Sequence, residues 1–190
     1  QDQWPIAAAH ATAAFVQQPG DKANRLNLAL VYEKAGYTPA ALAPFLTPGP
    51  HHHFARLASP AMWERILIAA TGLMALALGW LLFAAYQAQP RWSRFLGIGV
   101  LLFGLLLSIA ALTGRATYGL AASPRAALVW RDTTLHSIPT EAETNQKTSA
   151  LPAGSLGVMA DRTFLGWVQL TFDNGQSGWV RKHELVPLWK

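Results

Sequence analysis

The sequence predicts a membrane α-helical hairpin with an α-helical segment before it and a small all-β barrel after it. Three observations carry the prediction. Two apolar runs, Ile66 to Ala85 and Phe95 to Thr113, contain no Asp, Glu, Lys, Arg or His. Apolar residues ahead of them recur at a helical spacing, and beyond Pro124 the pattern changes to short, turn-bounded strands. The expected organisation is a helical segment over 1–46, a linker or membrane-surface loop over 47–62, and a first transmembrane helix over 63–87. A connector over 88–94, a second transmembrane helix over 95–115, a linker over 116–124 and the barrel over 125–190 complete it.

A bilayer core of about 30 Å takes roughly 20 helical residues, and both runs reach that length. The rest of the chain is too short and too polar to wrap two helices that are apolar on every side. Edge residues are placed as a bilayer favours: Trp63 and Arg65 at one end, Tyr86, Arg91, Trp92 and Arg94 around the connector, Arg115 and Tyr118 at the far end. Small residues mark expected packing faces, Gly72, Ala75 and Gly79 on the first span and Gly97, Gly104, Ser108 and Ala111 on the second. Gly and Ala are also simply common in transmembrane helices; on either reading these are packing surfaces and not a conduction path.

The spans hold no ionisable group at depth, which argues against a pump or proton relay, and all six His lie outside them, so no axial haem ligand is available there. No cofactor is expected. Three of the five net positive charges sit at the membrane edges, and the flanking segments are each close to neutral, so no basic face for nucleic acid is predicted. Cysteine is absent, which removes disulfides and thiolate chemistry. A chain beginning Gln1-Asp2-Gln3 is expected to have lost a signal peptide or to be cut from a longer chain. Arg91 and Arg94 in the short connector favour a cytoplasmic connector, with both ends on the periplasmic side of a bacterial inner membrane. Arg56 and Arg65 on one outer flank, and Arg115 and Arg125 on the other, weigh against that bias.

In the N-terminal segment Leu28, Ala29 and Tyr32 share one helical face, Gly36 can end the helix, and Thr38-Pro39 fits the start of a second helix bearing Ala41 and Phe45. Pro19-Gly20-Asp21 reads as a preceding turn, and Ala7, Ala8, Ala11 and Ala14 as the helix before it. This spacing resembles about one and a half tetratricopeptide repeats. The resemblance implies a protein-binding surface, with Tyr32, Tyr37 and Phe45 as candidate contacts. A repeat stack normally needs about three units, so the segment is expected to lean on the membrane, the C-terminal domain or a partner. Thr47 to Pro60, rich in Pro and carrying His51-His52-His53, reads as a loop. Consecutive His on an extended chain diverge, which disfavours a metal site and leaves a pH-sensitive contact with lipid headgroups or a partner.

Strands are expected at Ala126 to Trp130, Ser155 to Ala160, Gly166 to Thr171, Gln176 to Val180 and Leu185 to Leu188, with Asp173-Asn174-Gly175 as a hairpin turn. Gly166-Trp167-Val168-Gln169-Leu170 followed by Asn174-Gly175-Gln176-Ser177-Gly178-Trp179-Val180 resembles the paired Trp strands of a bacterial SH3-like domain. Leu135-His136-Ser137-Ile138-Pro139 is similar to its early loop. Trp167, Trp179 and His136 are the candidate contacts. The Trp rings would either close the barrel or line a groove, and Asp132, Glu141, Glu143 and Asp161 could rim it or simply be solvated acids.

Helical repeat, two close spans and an SH3-like end, with Ala61-Met62-Trp63-Glu64-Arg65 at the junction, resemble BatE-type proteins of the Bacteroides aerotolerance group. The resemblance implies a non-catalytic, membrane-anchored scaffold or accessory subunit holding other membrane-protein subunits of a larger complex. The alternative is a sensor of peptidoglycan peptides. An enzyme is not expected: no Gly-x-Ser-x-Gly elbow, phosphate loop or His-Glu-x-x-His is present, and His136-Ser137 has no identifiable third member.

Overall fold

The computed structural model describes residues 3–87, 90–141 and 146–189. Gln1, two connector positions (88 and 89) and Glu143 lie outside the described residues. The fold is mixed, with five α-helices and a seven-stranded sheet among the described residues.

Helix α1 spans Trp4–Gln17 and α2 spans Lys22–Ala35. Asp21 caps α2 by accepting the Ala23 N–H at 2.7 Å. Gly36, at φ 73°, closes it with its N–H on the Tyr32 carbonyl. The two helices pack against each other, and a 2.7 Å hydrogen bond joins the buried hydroxyls of Thr12 and Tyr32. The expected second helix of a repeat does not form. Pro39, Pro44 and Pro48 remove backbone donors within ten residues, and only a 3₁₀ turn survives at Ala43–Phe45. No tetratricopeptide stack is therefore present among the described residues. The expected loop instead contains a short helix, α3 (Pro50–Ala55), which carries His51 to His53.

Helices α4 (Pro60–Tyr86, capped by Ser59) and α5 (Arg91–Ala116) are both long and apolar enough to cross a membrane. Their apolar windows are only 11% and 22% buried, unlike the core helices of a soluble domain. They pair along a narrow seam with a seven-residue period: Trp63, Ala70, Ala77 and Ala84 on α4 face Gly97, Gly104 and Ala111 on α5. Three α5 glycines are notches. A Cβ at Gly97 would lie 2.6 Å from Leu81, one at Gly104 2.6 Å from Met74, and one at Gly114 2.5 Å from the Trp63 ring. The face expected on the second span is thus buried, with Ser108 donating to the Gly104 carbonyl. The face expected on the first span is not: Gly72, Ala75 and Gly79 are exposed on the opposite side of α4. Because the notches lie on α5, α4 can fill them with Met74 and Leu81 and needs only alanines between.

Strands β1 (Ala126–Val129), β2 (Thr133–His136), β3 (Thr148–Leu151), β4 (Leu156–Phe164), β5 (Trp167–Thr171), β6 (Ser177–Arg181) and β7 (Leu185–Pro187) are antiparallel in the order β3-β2-β6-β5-β4-β1-β7. The sheet is open, with β3 and β7 as its edges, so the expected closed SH3-like barrel is not formed. Side chains span the place where the ladder stops. Arg131 and Thr133 both donate to the Glu184 carboxylate, and Asp132 accepts the Ala153 N–H. Along β1 and the β7 segment the pleat divides two cores. Ala126, Leu128, Val186 and Leu188 join the helices, while Ala127, Val129 and Leu185 pack with Leu135, Val168, Leu170 and Val180.

Candidate functional site

The residues that bring the parts of the chain together lie where α4 begins and α5 ends. Tyr118, just beyond α5, is fully buried and stacks on Phe45 at 4.8 Å. Its hydroxyl donates to the Ala55 carbonyl at 3.1 Å and the Ala58 carbonyl at 3.2 Å. Trp63 also donates to the Ala55 carbonyl, at 3.0 Å. Burial pushes the Tyr118 hydroxyl well above the usual tyrosine range, against the opposing charge of Arg56. A neutral hydroxyl donating to two carbonyls in a dry site is a structural bond and not an acid. Gln17 donates to the Leu188 carbonyl at 2.7 Å and Trp189 to the Ala121 carbonyl at 3.1 Å, so N-terminal helices, hairpin base and sheet form one head.

Several expected contact residues are inside this head. Tyr32 and Phe45 are buried; Tyr37 is half-buried, donates to the Pro5 carbonyl at 2.8 Å and has its hydroxyl pushed up to about 12 by burial. Trp63 and Tyr118, expected at the lipid edge, are buried in the joint. Arg65, Tyr86, Arg91, Trp92 and Arg94 are exposed, and Arg115 is half-buried with its Nε 3.7 Å from Glu64.

In the sheet Trp167 is buried beneath the Arg181 guanidinium, 4.2 Å from its ring, with His136 edge-on at 5.0 Å. Glu141 holds Arg181 at 2.8 Å. Trp179 is half-buried and faces His136 and Gln169 in the ladder. The paired indoles therefore do not make two open walls of a groove. Of the other acids proposed as a rim, Asp161 pairs with Arg125 at 2.7 Å and Asp132 is held by the Ala153 N–H.

His51 and His52 have ring centroids 3.9 Å apart, and His52 packs edge-on against Phe45. Burial, with the charges of His51 and Arg56, lowers the His52 pKa below the ordinary value. No group of three or more His, Asp or Glu comes together in a metal-holding arrangement among the described residues. A cleft of about 640 Å³ lies between Thr38, Ala41, Thr117, Leu120, Gly154 and Leu156, with Asp173 as its one charged lining residue.

No protein-family model, curated protein or solved structure matches the chain. The resemblance to BatE-type proteins is overturned, because the repeat stack and the closed barrel on which it rests are both missing. The scaffold function and its peptidoglycan-binding alternative depended on those two modules and fall with them. Sequence reasoning missed the Ala55 and Ala58 carbonyls, which carry no side-chain signal. It also missed the Trp63, Ala70, Ala77, Ala84 series, whose seven-residue spacing was readable.

Proposed function

We propose that the chain is a non-catalytic two-span membrane protein that fixes one fused head at the bilayer surface and meets other membrane-protein subunits laterally, within the bilayer. The observation that carries this reading is the hairpin's unused surface. The seam consumes one stripe of each helix, while Gly72 and Gly79 on α4 have nothing within 4 Å of a Cβ position. Between the helices a shallow apolar groove of about 400 Å³ runs past Leu76, Trp80, Leu96 and Val100. Small residues allow close backbone approach of another helix, which drives association where lipid offers no hydrophobic gain.

The head joins both ends of the chain, so both lie on one side of the membrane; Arg91 and Arg94 favour a cytoplasmic connector and a periplasmic head in a bacterial inner membrane. The chain has no native Cys, so single-Cys reporters are clean. Ala150→Cys should react with an impermeant maleimide from the periplasm and Gln87→Cys should not; the reverse pattern sinks the orientation. A photocrosslinker at Leu76, which is exposed on the same helix face between Gly72 and Gly79, should capture a discrete membrane-protein partner that one at Ile109 does not, and equal capture from both sinks the lateral reading.

A further inference from the structure

Lys22 and Arg25 occupy the first turn of α2, the helix end where the backbone dipole disfavours cations. Arg56, at the end of α3, faces the same place, its carbonyl 3.8 Å from a Cβ position on Gly20 in the turn before α2. The three cations line a pocket of about 270 Å³ with a floor of Phe15, Leu28 and Phe45. None of them pairs with a carboxylate among the described residues. Arg25 donates to the Gly20 carbonyl, Arg56 contacts the His53 ring, and Asp21, the residue before Lys22, accepts the Ala23 N–H. The Arg56 Nε is buried without a hydrogen-bond partner. Burial and the neighbouring Arg25 both act against its charge, as expected where a counter-ion is missing.

The pocket's position supplies the rest. Arg56 precedes the start of α4 by four residues, and the intervening Leu57 and nearby Met62 are 74% and 48% exposed. Leu26 and Leu46, which also line the pocket, are 62% and 37% exposed. Cations over apolar side chains beside a membrane-entering helix suit a ligand with an anionic phosphate above an acyl body. We infer that Lys22, Arg25 and Arg56 form a binding site for the phosphate of an anionic phospholipid headgroup. The inference rests on the two-span reading, since only an inserted α4 brings this pocket to the headgroup layer.

The test uses the full chain in nanodiscs of phosphatidylcholine doped with phosphatidylglycerol, followed by native mass spectrometry of the lipid retained on release. Wild type should keep phosphatidylglycerol selectively. The double variant Arg25→Gln/Arg56→Gln, and separately the exposed Lys22→Glu, should each weaken retention about 30-fold, the effect of removing two unit charges at a headgroup surface. Arg162→Gln/Lys182→Gln, exposed in the sheet region, should not. Unchanged retention in both pocket variants overturns the inference while leaving the hairpin reading intact. A chain that stays out of the discs sinks both. Thermal stabilisation of the detergent-solubilised chain by inorganic phosphate alone, equal to that given by phosphatidylglycerol, assigns the pocket to a free anion and overturns the lipid assignment.

Discussion

The Ala55 carbonyl receives two side-chain donors from different elements, and removing them singly and together tests whether this joint holds the head to the hairpin. Tyr118→Phe keeps the ring on Phe45 and deletes the bonds to Ala55 and Ala58; with the Ala58 carbonyl losing its side-chain donor, the cost is about 1 to 1.5 kcal/mol. Trp63→Phe deletes the 3.0 Å bond and part of a ring that fills the Gly114 notch, costing about 2 kcal/mol. In either single variant the Ala55 carbonyl keeps one good donor. In the double variant only a 3.4 Å contact from the Ala58 N–H remains, in a buried site. The pair should therefore cost about 1 kcal/mol more than the sum of the singles. The measurement is a double-mutant cycle on the full chain in mild detergent, using thermal unfolding by near-ultraviolet circular dichroism, with trypsin sensitivity of the N-terminal helices as a second readout. Tyr86→Phe, at a residue 89% exposed, is the control. Strict additivity, or a Tyr118→Phe as silent as the control, would refute the argument that these donors share one carbonyl and fasten the head.

Three further outcomes follow from the same geometry. Gly104→Leu should destabilise the hairpin by about 1 to 3 kcal/mol, since even a Cβ meets Met74 at 2.6 Å and the Ala70 carbonyl at 3.3 Å, whereas Gly72→Leu should be near neutral in detergent-phase unfolding; equal effects would mean the seam is misplaced. Burial alone would raise the Glu184 carboxyl, but hydrogen bonds from Thr133 and Arg131, and the charges of Arg131 and His183, hold it below the usual range. Its stabilisation is thus complete above the ordinary carboxylate pKa and is lost as pH falls through the lower folded value, and Glu184→Gln should flatten that acid limb of the melting profile. His52 is likewise held neutral by burial beside His51 and Arg56, so stability should decline as pH drops below the ordinary histidine value toward the lower folded one; His52→Gln should remove this loss, and an unchanged profile would show that His52 does not carry it.

The two long apolar helices were the most legible part of the chain because their length and apolar composition are set locally, over some twenty residues each. The helix α2 was equally readable from the shared face of Leu28, Ala29 and Tyr32 and from Gly36 at its end, since spacing and caps are local chemistry. The failures begin where the outcome depends on distant parts of the chain. Tyr32 and Phe45 read as binding aromatics in sequence, and Trp167 as a ring that either closes a barrel or lines a groove; each is covered by an element from elsewhere: Thr12 of α1, Tyr118 beyond α5, Arg181 of β6. Strands β2 and β3 escaped notice for a related reason. Thr133 to His136 and Thr148 to Leu151 are short and largely polar and pair mainly with each other, so neither shows the alternation that marks a half-buried strand.

The misplaced face on α4 is a different failure. Both Gly72 and Gly79 and the buried Ala70, Ala77 and Ala84 obey the same seven-residue period, so periodicity alone offers two candidate seams on one helix. What separates them is the partner: α5 presents glycine notches, and notches call for long side chains such as Met74 and Leu81 between alanines, not for more glycine. A helix that carries a second small-residue stripe after its own seam is satisfied gains nothing from it as a monomer, since Gly in a helix interior costs roughly 0.5 to 1 kcal/mol relative to Ala. Gly72→Ala and Gly79→Ala should accordingly stabilise the isolated chain slightly. If they also abolish crosslinking to its membrane partner, the stripe is kept for that contact; if crosslinking survives, lateral docking through this face is wrong and the glycines have no role in it.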